Sequence, residues 1–384
     1  MIANSPRTSP QPCLSFETFS AELLEAQSRW TRRRDELDKL LKTAPLLLFG
    51  FGGKGQMLAH QIKNLANREV TIFDTDAKKR ALARAQGFSV IDAFTAETAG
   101  AWATILGACQ AQFEQKRSVP ENYIFYQEAA NLLKAPHLGN LARDFEEYVF
   151  PHREALHQLY FGLHPDSQAR FLSILKFRLS SDPADLSAGK SPNTEMWLDI
   201  PTSHRKRPYT TFLDVGAFDG DTLRYFRNRF GCERGIAVEA NTQLFDSIRT
   251  VGQSYPMGIA LMPMAAWSKE TRLKFEEVRF GMMKVSESSE GELEAAPIDN
   301  FVSEQVDCIK MDIEGAEAHA LEGCRKVLER WQPDLAIAAY HRPDDLVTLR
   351  SQIDRYGYGG SDFAWHIGHY SDCLDDSIFY VIRK

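Results

Sequence analysis

The stretch that decides the fold is Asp214-Val215-Gly216-Ala217-Phe218-Asp219-Gly220-Asp221-Thr222. An apolar strand signal, Thr211-Phe212-Leu213, precedes it, and a helical pattern through Leu223 and Phe226 follows. A second strand, Gly235-Ile236-Ala237-Val238, then ends in Glu239. Strand, glycine turn, helix, strand and a terminal acid about 20 residues on are the parts of a nucleoside-binding βαβ unit. Glycines let backbone approach a ligand closely, and a carboxylate at Glu239 suits the two hydroxyls of a ribose. The order Asp-x-Gly-x-x-x-Gly departs from the dinucleotide fingerprint. Asp214, Asp219 and Asp221 crowd the turn, and negative charge repels a pyrophosphate there. A cationic ligand carrying a ribose fits better, S-adenosylmethionine (SAM) above all.

Working outward, the C-terminal part continues in regular α/β alternation. Leu261 to Trp267 reads as a third strand and Arg272 to Val285 as a hairpin. Val306 to Asp312 is a strand, Ala316 to Leu328 a helix, and Leu335 to Tyr340 a buried strand ending at His341. Phe363–Ile367 and Ser377–Ile382 are consecutive strands joined by a loop, which predicts an antiparallel last strand on a mostly parallel sheet.

A second glycine motif lies earlier. Pro45-Leu46-Leu47-Leu48-Phe49 is an apolar run typical of a buried parallel strand. It meets Gly50-Phe51-Gly52-Gly53-Lys54-Gly55, then a helix through Leu58, Ile62 and Leu65, then Val70 to Phe73 ending at Asp74. This is G-x-G-x-x-G in its required context. Gly50, Gly52, Gly55 and Asp74 therefore outline a second nucleotide site, or a Rossmann-like scaffold that keeps its turn glycines for packing. Lys54 can meet a phosphate or point to solvent.

These readings divide the chain into four parts. Residues 1–44 are expected to hold a disordered tail rich in Ser and Pro, then an amphipathic helix from about Phe16 to Lys42; 45–140 form a Rossmann-like nucleotide-binding or scaffold domain; 141–208 form a helical linker region; 209–384 form the second α/β domain. The expected architecture is two Rossmann-like domains in tandem.

Composition excludes several classes. A net charge of −7 argues against nucleic acid as the main partner, because phosphate binding needs a basic surface. The six cysteines lack C-x-x-C spacing, which fits a reducing cytoplasm and gives no zinc signature. No apolar run spans a bilayer, and the N-terminus lacks a signal-peptide core. The expectation is a cytoplasmic protein with no membrane partner. The sequence does not specify an oligomeric state.

Two segments together resemble the FkbM-type SAM-dependent methyltransferases. One is the Asp214–Thr222 turn. The other is Ile309-Lys310-Met311-Asp312-Ile313-Glu314-Gly315-Ala316-Glu317, with Leu321-Glu322-Gly323 after it and Pro297-Ile298-Asp299 before it. Many relatives carry Asn where this chain has Phe218. The resemblance covers most of residues 209–384. It implies a class I methyltransferase sheet and O-methylation of a sugar, glycan or similar hydroxyl-bearing metabolite.

The candidate site then divides by role. Asp214, Gly216, Gly220, Asp221, Glu239, Asn241 and Ala266 fall to cofactor binding, Ala266 because a small residue at the end of the third strand leaves room for an adenine. Asp312 and His341 each end a strand on the same sheet edge, where open α/β sheets place their ligands, and both suit proton removal. His369 and Tyr370 are weaker candidates. Lys310 is expected to pair with a carboxylate of the second motif. Asp312, Glu314 and Asp299 lack an all-oxygen metal spacing, so no metal site is assigned and metal dependence stays open. Two other readings stand beside methyl transfer: a nucleotide-binding or sensor protein without turnover, and an NAD-dependent oxidoreductase using the first domain.

Overall fold

The computed structural model describes residues 14–95, 102–106, 123–133, 140–186, 189–191, 196–197, 208–278, 282–287 and 291–384. The first helix, α1 (Phe16–Thr43), starts at Ser15, whose side chain accepts the Thr18 N–H at 3.3 Å. Such a cap satisfies one of the orphan donors of a helix start. One end of α1, with Phe19, Leu23 and Ala26, packs into the core of the C-terminal sheet. Its other end, with Trp30, Leu37 and Leu41, packs into the core of the N-terminal sheet. One helix thus belongs to both cores.

The N-terminal sheet contains β1 (Leu46–Phe49), β2 (Val70–Phe73), β3 (Ser89–Val90), β4 (Ala103–Leu106) and β5 (Tyr123–Phe125). Their order is β3-β2-β1-β4-β5, all parallel. Helices α2 (Gly53–Leu65), α3 (Ala77–Ala85) and α4 (Tyr126–Leu132) connect or follow the strands. Leu46, Leu47 and Leu48 are fully buried, as strands covered on both faces require. Then come α5 (Asn140–Val149), α6 (Arg153–Gly162) and α7 (Pro165–Ser180). Arg178 of α7 is buried and donates to the Ala339 carbonyl at 2.8 Å, tying this helical region to the C-terminal sheet.

The C-terminal sheet has seven strands. In chain order they and their helices are β6 (Thr211–Val215), α8 (Asp221–Phe230), β7 (Arg234–Val238), α9 (Phe245–Gly252) and β8 (Ile259–Met262). After a small second sheet follow β13 (Cys308–Met311), α10 (Glu317–Gly323), α11 (Arg325–Trp331), β14 (Asp334–Ala338), α12 (Asp345–Ile353), β15 (Phe363–His369) and β16 (Ser377–Arg383). The order is β15-β16-β14-β13-β6-β7-β8. Only β16 runs against its neighbours, β14 and β15. The reversed last strand expected from sequence is present, and chain order reverses between β6 and β13. Ligands bind at the carboxyl ends of strands beside such a switch point.

Two local expectations change. The third strand does not run through to Trp267: β8 ends at Met262, before Pro263, which has no N–H to give a ladder. Residues Ala265–Ala266 (β9) instead join β10 (Thr271–Val278), β11 (Met282–Glu287) and β12 (Leu293–Ala296) in a sheet ordered β11-β10-β12-β9. The helix expected over Ala316–Leu328 is two helices, α10 and α11. It breaks where Gly323 meets Trp267 so closely that a Cβ would stand 2.0 Å from the Trp267 carbonyl oxygen.

Candidate active site

The turn after β6 is shaped by the chain that crosses it. Gly216 has φ +80, and a Cβ there would lie 2.0 Å from the Asp312 carbonyl oxygen. Its N–H and that of Ala217 donate to the Val238 carbonyl at 2.9 and 3.2 Å. Gly220, with φ +84, precedes the first residue of α8. Between them Phe218 adopts φ +47 and is 61 % exposed.

Asp214 does not face this turn's surface. It is fully buried, 3.0 Å from Lys310, and Lys310 also donates to the Gly216 carbonyl. Burial pushes the Asp214 carboxyl up to about 6, against the pull of Lys310. Burial acts against the charge of Lys310, yet Asp214 and Asp312 raise its pKa above the ordinary value. The pair therefore props the turn from below. Sequence grouped Asp214 with Asp219 and Asp221, and expected Lys310 to pair with the second motif.

Asp221 is exposed at the first position of α8, and its carboxylate accepts the Thr222 N–H at 2.6 Å. Acids there complement the helix dipole. Glu239 is half-buried just past β7. One carboxylate oxygen accepts the Phe218 N–H at 2.9 Å, and the other accepts the Asn241 N–H at 2.7 Å. Each oxygen retains acceptor capacity for another donor. The Asn241 side chain is engaged as a cap, accepting the Gln243 N–H at 3.1 Å. Ala266 is buried in β9, and Trp267 is core, stacked on His319 with centroids 4.0 Å apart.

Across the switch point, Asp312 follows β13 and His341 follows β14. Asp312 accepts a hydrogen bond from the Tyr340 hydroxyl at 3.1 Å. His341 Nε2 lies 3.5 Å from Asp312 and 3.6 Å from Glu314; its Nδ1 lies 3.0 Å from Glu317. Glu317 is 1 % exposed and also accepts the Ile313 N–H at 2.9 Å. Burial alone would lower the His341 pKa, but Glu317, Asp312 and Glu314 together push it up to about 10. The raised pKa favours the imidazolium at neutral pH, a form that donates to the surrounding carboxylates.

One atom from each of Asp312, Glu317 and His341 lies within 4.8 Å of the others. A divalent ion can use such spacing. Here Glu317 faces Nδ1 and Asp312 faces Nε2, so the imidazolium stands between them and already supplies positive charge. His369 and Tyr370 are buried: His369 meets Ser377 at 3.0 Å and Tyr370 meets Tyr380 at 2.7 Å. Burial and Arg178 lower the His369 pKa to about 4.

In the N-terminal domain, Gly50, Gly52, Gly55 and Asp74 do come together. A Cβ on Gly55 would lie 2.1 Å from the Gly50 carbonyl oxygen, so that glycine serves close packing. Asp74 is 5 % exposed, and its oxygens accept the Phe51 and Asp76 N–H groups at 2.7 and 2.8 Å. The connections mirror those of Glu239, but the carboxylate is buried inside the turn. Lys54 points neither to solvent alone nor to a phosphate site; it pairs with Asp375 of the C-terminal domain at 2.5 Å. Sequence reasoning missed this pair and the contacts of Tyr340 and Glu317. Only the polar end of the apolar Leu335–Tyr340 run hinted at Tyr340. A cleft of about 560 Å³ lined by Tyr209, Asp307, Asp334 and Lys384 lies at the opposite, amino-terminal edge of the sheet. Among the described residues, no helix is long and apolar enough to cross a membrane.

No curated protein matches the sequence. Among solved structures, the fold is similar to that of the methyltransferase FkbM from Methylobacillus flagellatus KT, at 19% identity and TM-score 0.72. The match covers 96% of this chain and 100% of that one, so the tandem arrangement recurs there. An O-methyltransferase from Bacillus cereus matches at 12% identity and TM-score 0.32, over 64% of this chain and 97% of that one. Residues 214–359 match the methyltransferase FkbM domain. The glycine turn, Glu239, Asp312 and His341 all fall within that span, and this part of the chain is a methyltransferase domain of the FkbM family.

Proposed function

We propose that the protein transfers the methyl group of SAM to a hydroxyl oxygen of a sugar, glycan or similar small metabolite. The observation that carries this reading is the convergence of two groups on one sheet edge within an FkbM-type domain. The glycine turn and Glu239 lie on one side of the β6–β13 switch point, and Asp312 with its partners on the other. The residues fit the donor chemically: Asp219, Asp221 and Glu239 are acceptors for hydroxyls and favour a cation. Bound SAM supplies an electrophilic methyl group. Glu239 holds the ribose end. Asp312, oriented by the Tyr340 hydroxyl and the His341 imidazolium, is the acceptor for the hydroxyl proton. His341 fixes the surrounding carboxylates and offsets their charge.

The buried Asp74 and packed Gly55 favour a scaffold role for the N-terminal domain over a nucleotide site. They also weigh against the oxidoreductase and sensor readings. The test is a mass-spectrometric screen using SAM with a deuterated methyl group and pooled neutral sugars and glycans. A product heavier by the labelled methyl, and lost with Asp312→Asn, supports the reading. SAM binding absent by calorimetry at millimolar ligand refutes it.

A further inference from the structure

We propose that the N-terminal domain is the acceptor-side clamp of the methyltransferase site, with Lys54 as its positioning residue. This rests on the reading of methyl transfer at Asp312. The ligand edge of a Rossmann-like sheet is the carboxyl end of its strands. In this chain that edge is met by the loop between β15 and β16. Lys54, at the start of α2, pairs with Asp375 at 2.5 Å. Asp375 is held from its own side by the Ser371 hydroxyl, which donates to it at 2.8 Å. Two residues earlier, Cys373 packs against the N-terminal core, the cluster that includes Tyr126 at the start of α4. An ion pair and an apolar contact therefore fasten one short loop to the first domain.

The same loop borders the reacting edge of the second domain. The antiparallel register ends with Ala338 opposite Ile378, and continued past that pair it brings Asp376 towards Tyr340, whose hydroxyl feels the Asp376 charge. The Ala339 N–H donates to the Ser377 carbonyl at 2.9 Å, fixing that alignment. Tyr340 in turn donates to Asp312. Lys54, Asp375, Asp376, Tyr340 and Asp312 form a continuous path from the first domain to the proton acceptor. On the donor side, Gly216 meets Asp312 only at its backbone carbonyl, and the Glu239 carboxylate is engaged by the Phe218 and Asn241 N–H groups across the switch point. The clamp consequently acts on the acceptor and leaves the donor alone.

The experiment uses the full-length chain with Lys54→Met and Lys54→Arg. Hydrogen exchange is followed by mass spectrometry on peptides spanning the loop and, separately, the glycine turn. Initial rates are measured with the sugar identified by the labelled-methyl screen. In Lys54→Met, exchange in the loop should accelerate about tenfold, as expected when a local tether is lost, while the glycine turn is unchanged. KM for the sugar should rise about fivefold or more, with kcat and SAM affinity nearly constant, the pattern of lost ground-state positioning. Lys54→Arg should restore both. Unchanged loop exchange overturns the proposal. So does faster exchange with an unchanged KM, because the contact would then be structural only. Failure of the wild-type protein to bind SAM would instead sink the methyltransferase reading on which the clamp rests.

Discussion

Replacing Glu239 by Gln tests whether this carboxylate binds a ribose or merely clasps the turn. In the structure its two oxygens accept backbone N–H groups from Phe218 at 2.9 Å and Asn241 at 2.7 Å. Glutamine keeps one oxygen, so its amide NH₂ must face the other N–H. One hydrogen bond to a charged acceptor is lost, but the site is half-buried and water can replace it, so the stability loss should be about 1 kcal/mol. That corresponds to a fall in Tm of roughly 2–4 °C for a domain of this size. The loss in SAM binding is larger, because the charge-assisted bonds to the ribose hydroxyls go as well. At about 1.5–3 kcal/mol it weakens Kd roughly 10- to 150-fold. Calorimetric titration with SAM and a melting curve of the free protein measure the two effects separately. Asp74→Asn is the control, since Asp74 makes the same kind of turn contacts from a buried position. It should lower Tm and leave SAM affinity unchanged. If Glu239→Gln lowers Tm but keeps Kd within about threefold of wild type, Glu239 is a clasp like Asp74 and the cofactor assignment is refuted.

Four further outcomes are expected. Asp312→Asn should lower single-turnover methyl transfer by roughly 10²–10⁴ with little change in SAM affinity; a near-normal rate would remove it as the proton acceptor. His341, whose folded pKa is raised from 6.5 to about 10, contributes stability that is complete below pH 6.5 and lost as pH rises towards 10. Urea unfolding at several pH values should record that decline, amounting to a few kcal/mol at most, and His341→Gln should flatten it. Gly216→Ala should destabilise by roughly 3 kcal/mol or more, because its Cβ would strike the Asp312 carbonyl at a positive φ. Gly53→Ala, in α2 with nothing within 4 Å of a Cβ, should stabilise by about 0.5–1 kcal/mol; equal effects at the two glycines would contradict the packing account.

The sequence by itself determined a parallel sheet, a mostly parallel one with its reversed last strand, and the sheet edge at which the candidate residues gather. Periodicity, apolar runs and turn glycines are local signals, and each fixes its own segment without help from the rest. The paired FkbM motifs were legible for the same reason, since each is contiguous. What a side chain does once it arrives depends on neighbours distant in sequence, and only the tertiary structure decided that. It buried Asp214 under the turn against Lys310, 96 positions away along the chain. It gave Gly216 a steric reason in the backbone of Asp312. It distinguished Glu239 from Asp74 by exposure, although the two occupy the same place in their motifs. It surrounded His341, chosen as a candidate base, with three carboxylates that raise its pKa. It also brought Lys54 across to Asp375, joining two domains that the sequence read separately. Burial and charge pairing are sums over contacts between remote segments, and those contacts exist only after the sheets have packed.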